Sequence, residues 1–238
     1  MKQYYLGGYY LVIRKIIDFG FQKGQKSYTC SSCINDALLD QWAFSWSTRS
    51  YKEERKVKKQ FAITDQTFAD IWKWTDSKYK ERRIGWPNVF ADLATAEAYR
   101  QQYFAHVPDT EIVSIYLDEK QLAAFMAQSK PEVQHENLRH TGLFEILNQK
   151  VLDQISDNEV LLGYDLIAVE VSGHLHSVQC QDWLELIPKF DLHLNQWGLF
   201  DECEDWQGVL DYLSDDANLY ELLPWFVVKV KRVITSCI

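Results

Sequence analysis

At 238 residues, 47% hydrophobic and 25% charged, the chain is long enough for a sizeable core and has no low-complexity or disorder-prone composition. Its net charge of −9 hides an asymmetry. Residues 1–105 carry 17 Lys/Arg against 11 Asp/Glu, a balance of +6, while residues 106–238 carry 8 against 23, a balance of −15. An acidic total argues against a dedicated polyanion binder, and no stretch approaches the ~20 apolar residues that span a bilayer.

Near the start, Tyr9 to Ile13 is apolar, but Arg14, Lys15 and Asp18 interrupt it before a signal-peptide hydrophobic region develops. Five scattered cysteines do not form a secreted disulfide framework, so the expectation is a cytosolic protein with reduced thiols. Gly7-Gly8, between two tyrosine pairs, reads as a turn or strand bulge. Residues 48–59 are polar and basic, an exposed helix or loop. Phe68, Ile71, Trp72, Thr75 and Tyr79 recur at helical spacing and predict a helix over 66–79, with Asp65 as its cap and Trp86-Pro87 as its stop. Thr95 is placed to cap the next helix, through Ala96, Tyr99, Tyr103 and Phe104.

Residues 111–117 alternate like a strand, and Asp118 opens a helix carrying Leu122, Phe125 and Met126. The polar stretch 131–141 reads as a long loop, and a subdomain joint would fall there; one composite domain over 1–238 is the simpler organisation. Leu143 to Ile155 has helical spacing. Val160 to Cys180 reads as a hairpin turning at Ser172-Gly173. A two-residue loop there pairs Val169 with His176 and Asp165 with Cys180, placing these residues on one face with Ile167, Val171, His174 and Val178. A short helical turn follows over 183–187, ending near Pro188. A strand is expected over 190–200 with a bend at Gly198, then a helix through Trp206, Val209, Leu210 and Leu213, and a final strand over 224–233. The fold class expected is α+β, with a mostly antiparallel sheet in the C-terminal half and helices packed against it.

Among chemical motifs, Cys30-x-x-Cys33 has redox or zinc spacing but lacks the second half of a zinc site. His174 and His176, with Asp165 along the neighbouring strand, form the best metal or acid/base candidate, although a metal would need a further donor such as His193. No phosphate loop, nucleophile elbow or zinc-protease helix is present, and no cofactor motif appears. Lys52 to Lys59, including Lys56, Lys58 and Lys59, and Lys78 to Arg83, interleaved with Tyr51, Trp72, Trp74, Tyr79 and Trp86, offer a basic and aromatic surface for RNA. The acidic excess elsewhere opposes that reading.

The cluster Asp201, Glu202, Glu204, Asp205, Asp211, Asp215, Asp216 and Glu221 exceeds what helix capping needs. It suits docking of a basic partner, with Trp183, Trp197, Trp206 or Trp225 as anchors and the carboxylates steering encounter. The C-terminal third, through Gly163-Tyr164-Asp165-Leu166, His174-Leu175-His176-Ser177, Cys180 and Leu192 to Phe200, resembles immunity proteins of bacterial polymorphic and contact-dependent toxin systems. The resemblance implies a cytosolic, non-enzymatic antitoxin that occupies the active site or substrate surface of a cognate toxin, and it carries over no catalytic residues. An enzyme centred on His174 and His176, and an RNA-binding module, are the alternatives.

Overall fold

The structure is a computed structural model that describes residues 2–18, 20, 22–31, 34–35, 55, 58–85, 89–128, 142–154, 156–169, 175–181, 183–218, 220 and 223–234. Its frame is one antiparallel sheet with strands β1 (Tyr4–Ile13), β2 (Ile84–Gly85), β3 (Val89–Phe90), β4 (Thr110–Asp118), β5 (Glu159–Val169), β6 (Leu175–Ser177) and β7 (Trp225–Val233). Their order is β2-β3-β1-β4-β7-β5-β6. The α+β class is as expected. The placement of the sheet in the C-terminal half is not, because β1 and β4 come from the first half and lie inside the sheet. Neighbouring strands thus come from both sides of residues 131–141, which lie outside the described residues.

β1 was hard to see because it is apolar on both faces. Nine of its ten residues are buried, so no alternation marks it. Gly7-Gly8 does form a bulge, and the register against β4 shifts between Leu6 and Gly8. Gly8 sits at φ 123°, and a Cβ there would come within 2.2 Å of Val89 Cγ2. Only glycine allows both that backbone and that approach.

Four helices precede β5 and pack on the sheet: α1 (Asp65–Lys80), α2 (Leu93–Tyr99), α3 (Glu119–Gln128) and α4 (Gly142–Asn148). The cap of α1 is Thr64, one residue before the expected Asp65; its Oγ1 accepts from Thr67 N at 3.0 Å, while Asp65 adds charge to the first turn and pairs with Lys58. Ile71 and Thr75 are buried as predicted. The apolar stripe, however, includes Trp74, which packs on Tyr99 at 5.1 Å, and leaves Trp72 exposed. The cap of α2 is Asp92 rather than Thr95, which donates to it through both backbone N and Oγ1. A π-helical turn, Arg100–Phe104, continues α2 and brings Tyr103 and Phe104 into the core.

α4 stops at Asn148, short of the predicted Ile155. Lys150 adopts φ 53°, and residues 151–153 run extended beside β1, with Leu6 N donating to Val151 O and Asp153 N donating to Tyr4 O. The expected turn over 183–187 is displaced into α5 (Leu186–Phe190), which contains Pro188 in its first turn, where a missing N–H costs nothing. The strand expected over 190–200 is a compact loop with two isolated bridges, Tyr164–Phe200 and Leu194–Phe200. Gly198, at φ 66°, makes its bend. The helix expected at Trp206 is present as α6 (Trp206–Leu213), with Trp206, Val209, Leu210 and Leu213 buried.

The hairpin exists, but its register differs by one residue from the two-residue-loop expectation. Ala168 faces His176 and Ile167 faces Ser177, and β6 gives way at once to a 3₁₀ turn, Val178–Cys180. A one-residue shift exchanges faces. His176 therefore lies on the face opposite Asp165, and Cys180 is no strand partner of Asp165. The turn residues 170–174, including His174, lie outside the described residues.

Two apolar clusters fix the layers. The larger joins Val113, Ile115, Leu117, Val228 and Ile167 to Phe125, Leu143, Ile146 and Leu147 on one face. The smaller joins Leu11, Ile13, Ile112 and Val233 to Ile71, Ala96, Tyr99 and Phe104 on the other. On that second face Lys229 Nζ of β7 lies 3.7 Å from the ring centroid of Tyr4 on β1, with β4 between the two strands. The sheet therefore curls toward that face.

Candidate functional site

Alternation in β7 places Lys229 and Lys231 side by side on the curled face, opposite Tyr116 and Ser114 of β4. Both ammonium groups meet Asp153, Lys229 at 2.9 Å, and Lys231 also reaches Glu159 at 3.5 Å. Glu159 accepts further from Ser114 Oγ at 2.6 Å and Tyr116 Oη at 2.8 Å. The four charged side chains are only 10–14% exposed, so each charge depends on its partners rather than on water. Lys231 also stands 4.7 Å over the Tyr116 ring. Burial first, and the Glu159 carboxylate second, hold the Tyr116 phenol far above its ordinary pKa; burial does the same for Tyr4. Two cations balance two anions. The arrangement staples residues 151–153 onto the sheet. Sequence spacing displays the two lysines but cannot pair them with Asp153, since that pairing needs the break of α4 at Asn148.

On the opposite face, Asp165 is fully buried. It accepts hydrogen bonds from Thr29 Oγ1 at 2.5 Å, Ser177 Oγ at 2.6 Å and Gln179 Nε2 at 3.4 Å. No ion pair reaches it among the described residues. Burial pushes its carboxyl up to about 6, against the opposing pull of those donors. Cys30 lies beside it, and burial raises that thiol well above the ordinary cysteine range. A thiol kept protonated is a poor nucleophile and a poor metal ligand. Cys33, the other half of the Cys-x-x-Cys pair, lies outside the described residues. His193 pairs with Asp191 at 3.3 Å near the surface, and no cluster of three or more metal-ligating side chains occurs among the described residues.

The acidic region is the third feature. Asp201, Glu202, Glu204, Asp205, Asp211, Asp215 and Asp216 are all exposed; Glu221 lies outside the described residues. Among these seven Glu202 alone forms an ion pair within the described residues, with Lys2 at 2.9 Å. Asp205 caps α6 by accepting from Gly208 N at 2.9 Å, and Asp215 accepts from Ala217 N. Among the described residues Glu204 and Asp211 have neither a cation nor a backbone group to hold, and Asp211 accepts from Gln207 Nε2 at 2.8 Å.

Of the four tryptophans expected as anchors, Trp183, Trp206 and Trp225 are buried. Trp206 packs against Tyr164 and Phe200 and belongs to the core. Trp197 is half-buried, edge-on to Tyr28 at 5.8 Å and with the Arg232 guanidinium 5.9 Å from its ring centroid. Lys58 is committed to Asp65, and Lys56 lies outside the described residues, so the basic segment offered to RNA is only partly described.

Comparison of the chain with family models, curated proteins and solved structures finds no match in any of the three. No helix among the described residues is long and apolar enough to cross a membrane.

Proposed function

We propose that this protein is a non-enzymatic inhibitor that docks a basic partner on the acidic surface around α6, and that the partner is a cognate toxin. The observation that carries the docking reading is the run of exposed carboxylates over residues 201–216, in which Glu202 alone finds a cation among the described residues. Like charges held together without counterions oppose one another, and a basic surface relieves that repulsion while accelerating encounter. The toxin assignment follows the resemblance of the C-terminal third to immunity proteins. A nucleic-acid-cleaving or nucleotide-modifying toxin presents a basic cleft, which an acidic surface blocks by imitating its substrate.

Trp197 is the aromatic of the four still partly available to a partner, whereas Trp206 supports the surface from beneath. The test is affinity capture of the tagged chain from its native cells at moderate salt, with mass spectrometry of what remains. A single basic polypeptide in stoichiometric amount, whose toxicity the chain suppresses on co-expression, supports the proposal. Recovery of the chain alone, or of a partner whose activity the chain leaves untouched, removes it.

A further inference from the structure

One part of the sheet lies outside the acidic surface around α6, where the end of β7 and the start of β5 run beside the loop of residues 194–200. Arg232 of β7 has Val113 of β4 and Val160 of β5 as its cross-strand partners, so the three side chains share a face. Ile234 N donates to Asn158 O at 2.8 Å, which carries the ladder one step further and puts Ile234 on that face as well. Val113 is buried, but Val160 and Ile234 are 38% and 48% exposed. The Arg232 guanidinium, 5.9 Å from the centre of the Trp197 ring, pairs with no carboxylate among the described residues.

Trp197 itself is held by the chain around it. Its backbone N–H donates to Asn195 Oδ1 at 2.9 Å, its carbonyl accepts from Tyr28 N at 3.1 Å, and its ring meets Tyr28 edge-on at 5.8 Å. Asn195 Nδ2 in turn donates to Leu162 O of β5 and reaches Asp201, the first carboxylate of the acidic run, at 3.3 Å. The loop that presents Trp197 is thereby tied to the sheet on one side and to the acidic surface on the other.

We propose that Trp197, Arg232, Val160 and Ile234 form the anchor of the docking surface, seating an apolar side chain of the basic partner beside a carboxylate that pairs with Arg232. This anchor rests on the docking reading of α6 and divides the work with it. Carboxylates around α6 act at long range and set how fast the partner arrives. An aromatic, an arginine and two aliphatic side chains act on contact and set how long it stays. The occupant is apolar because Val160 and Ile234 gain only by losing water. It brings a carboxylate because covering an unpaired guanidinium without a counter-charge is costly.

The experiment measures association and dissociation rates of the captured basic partner on the full chain and its variants, each checked for folding by unfolding midpoint. Trp197→Ala should speed dissociation about tenfold while association changes by less than about twofold. The exposed pair Val160→Ser/Ile234→Ser should speed dissociation about fivefold and serves if Trp197→Ala fails to fold. Arg232→Met, which keeps the apolar stem and removes the charge, should also speed it about fivefold. Dissociation unchanged in a folded variant of any of the three overturns the anchor, while slower association of Glu204→Lys/Asp211→Lys would still uphold the docking reading. A chain that captures no basic partner removes the docking reading and the anchor with it.

Discussion

Replacing Asp153 by Asn keeps its shape and removes the one charge shared by Lys229 and Lys231. In the wild type both ammonium groups depend on it, at 14% and 11% exposure, and Asp153 itself is 12% exposed. Removing one partner of a buried pair costs about 3–5 kcal/mol, because the remaining charge is left desolvated. Lys231 retains Glu159 at 3.5 Å, whereas Lys229 retains only the Tyr4 ring among the described residues, so the lower part of that range applies, about 3–4 kcal/mol. Urea unfolding should show the midpoint falling at unchanged slope. Adding Lys229→Met to Asp153→Asn should recover part of the loss, since the stranded cation leaves with it. A single-variant cost within about 0.5 kcal/mol of zero would mean that water reaches these charges and that the staple of residues 151–153 contributes little.

Three further outcomes test the packing and caps. Asp205→Ala should cost about 1 kcal/mol by thermal or urea unfolding, because its carboxylate caps α6 at Gly208 N; no loss would show that the cap is dispensable. Gly8→Ala should destabilise by about 2–5 kcal/mol, since the new methyl meets Val89 and Phe90 O at a backbone conformation that L residues avoid; a neutral result would contradict the bulge geometry. Trp206→Ala should cost about 3–5 kcal/mol of stability, marking a core residue, and a stable variant that loses only partner binding would return Trp206 to the interface.

The periodic elements were legible. α6, α1 and α3 follow their apolar stripes, because each helix buries one face, while β4 and β7, buried on both faces, were legible as short apolar runs with strand alternation. What escaped was decided by tertiary context. β1 is buried on both faces and shows no period, and the segment after α4 has helical spacing yet pairs with β1, where backbone bonding at Leu6 and Tyr4 outweighs it. The hairpin register depended on loop length. A one-residue shift in register moved His176 away from Asp165 and removed the face on which the metal or acid/base candidate relied. The acidic run was visible in composition alone, and its exposure agrees with its charge. Trp206 lies on the apolar stripe of α6 with Val209, Leu210 and Leu213, which marks it as core, but the acidic residues before it made it read as a surface anchor beside Trp197.

The structure separates Asp205, whose carboxylate caps α6, from Glu204 and Asp211, which bind no backbone group and no cation among the described residues. The decisive measurement is association of a captured basic partner with the wild type and with the double charge reversal Glu204→Lys/Asp211→Lys, at low and moderate salt and with folding checked by unfolding midpoint. The docking account predicts a folded variant with association slowed at least tenfold at low salt and a smaller difference as salt rises. Equal association rates for the two proteins, each folded, would contradict it and place the interface elsewhere.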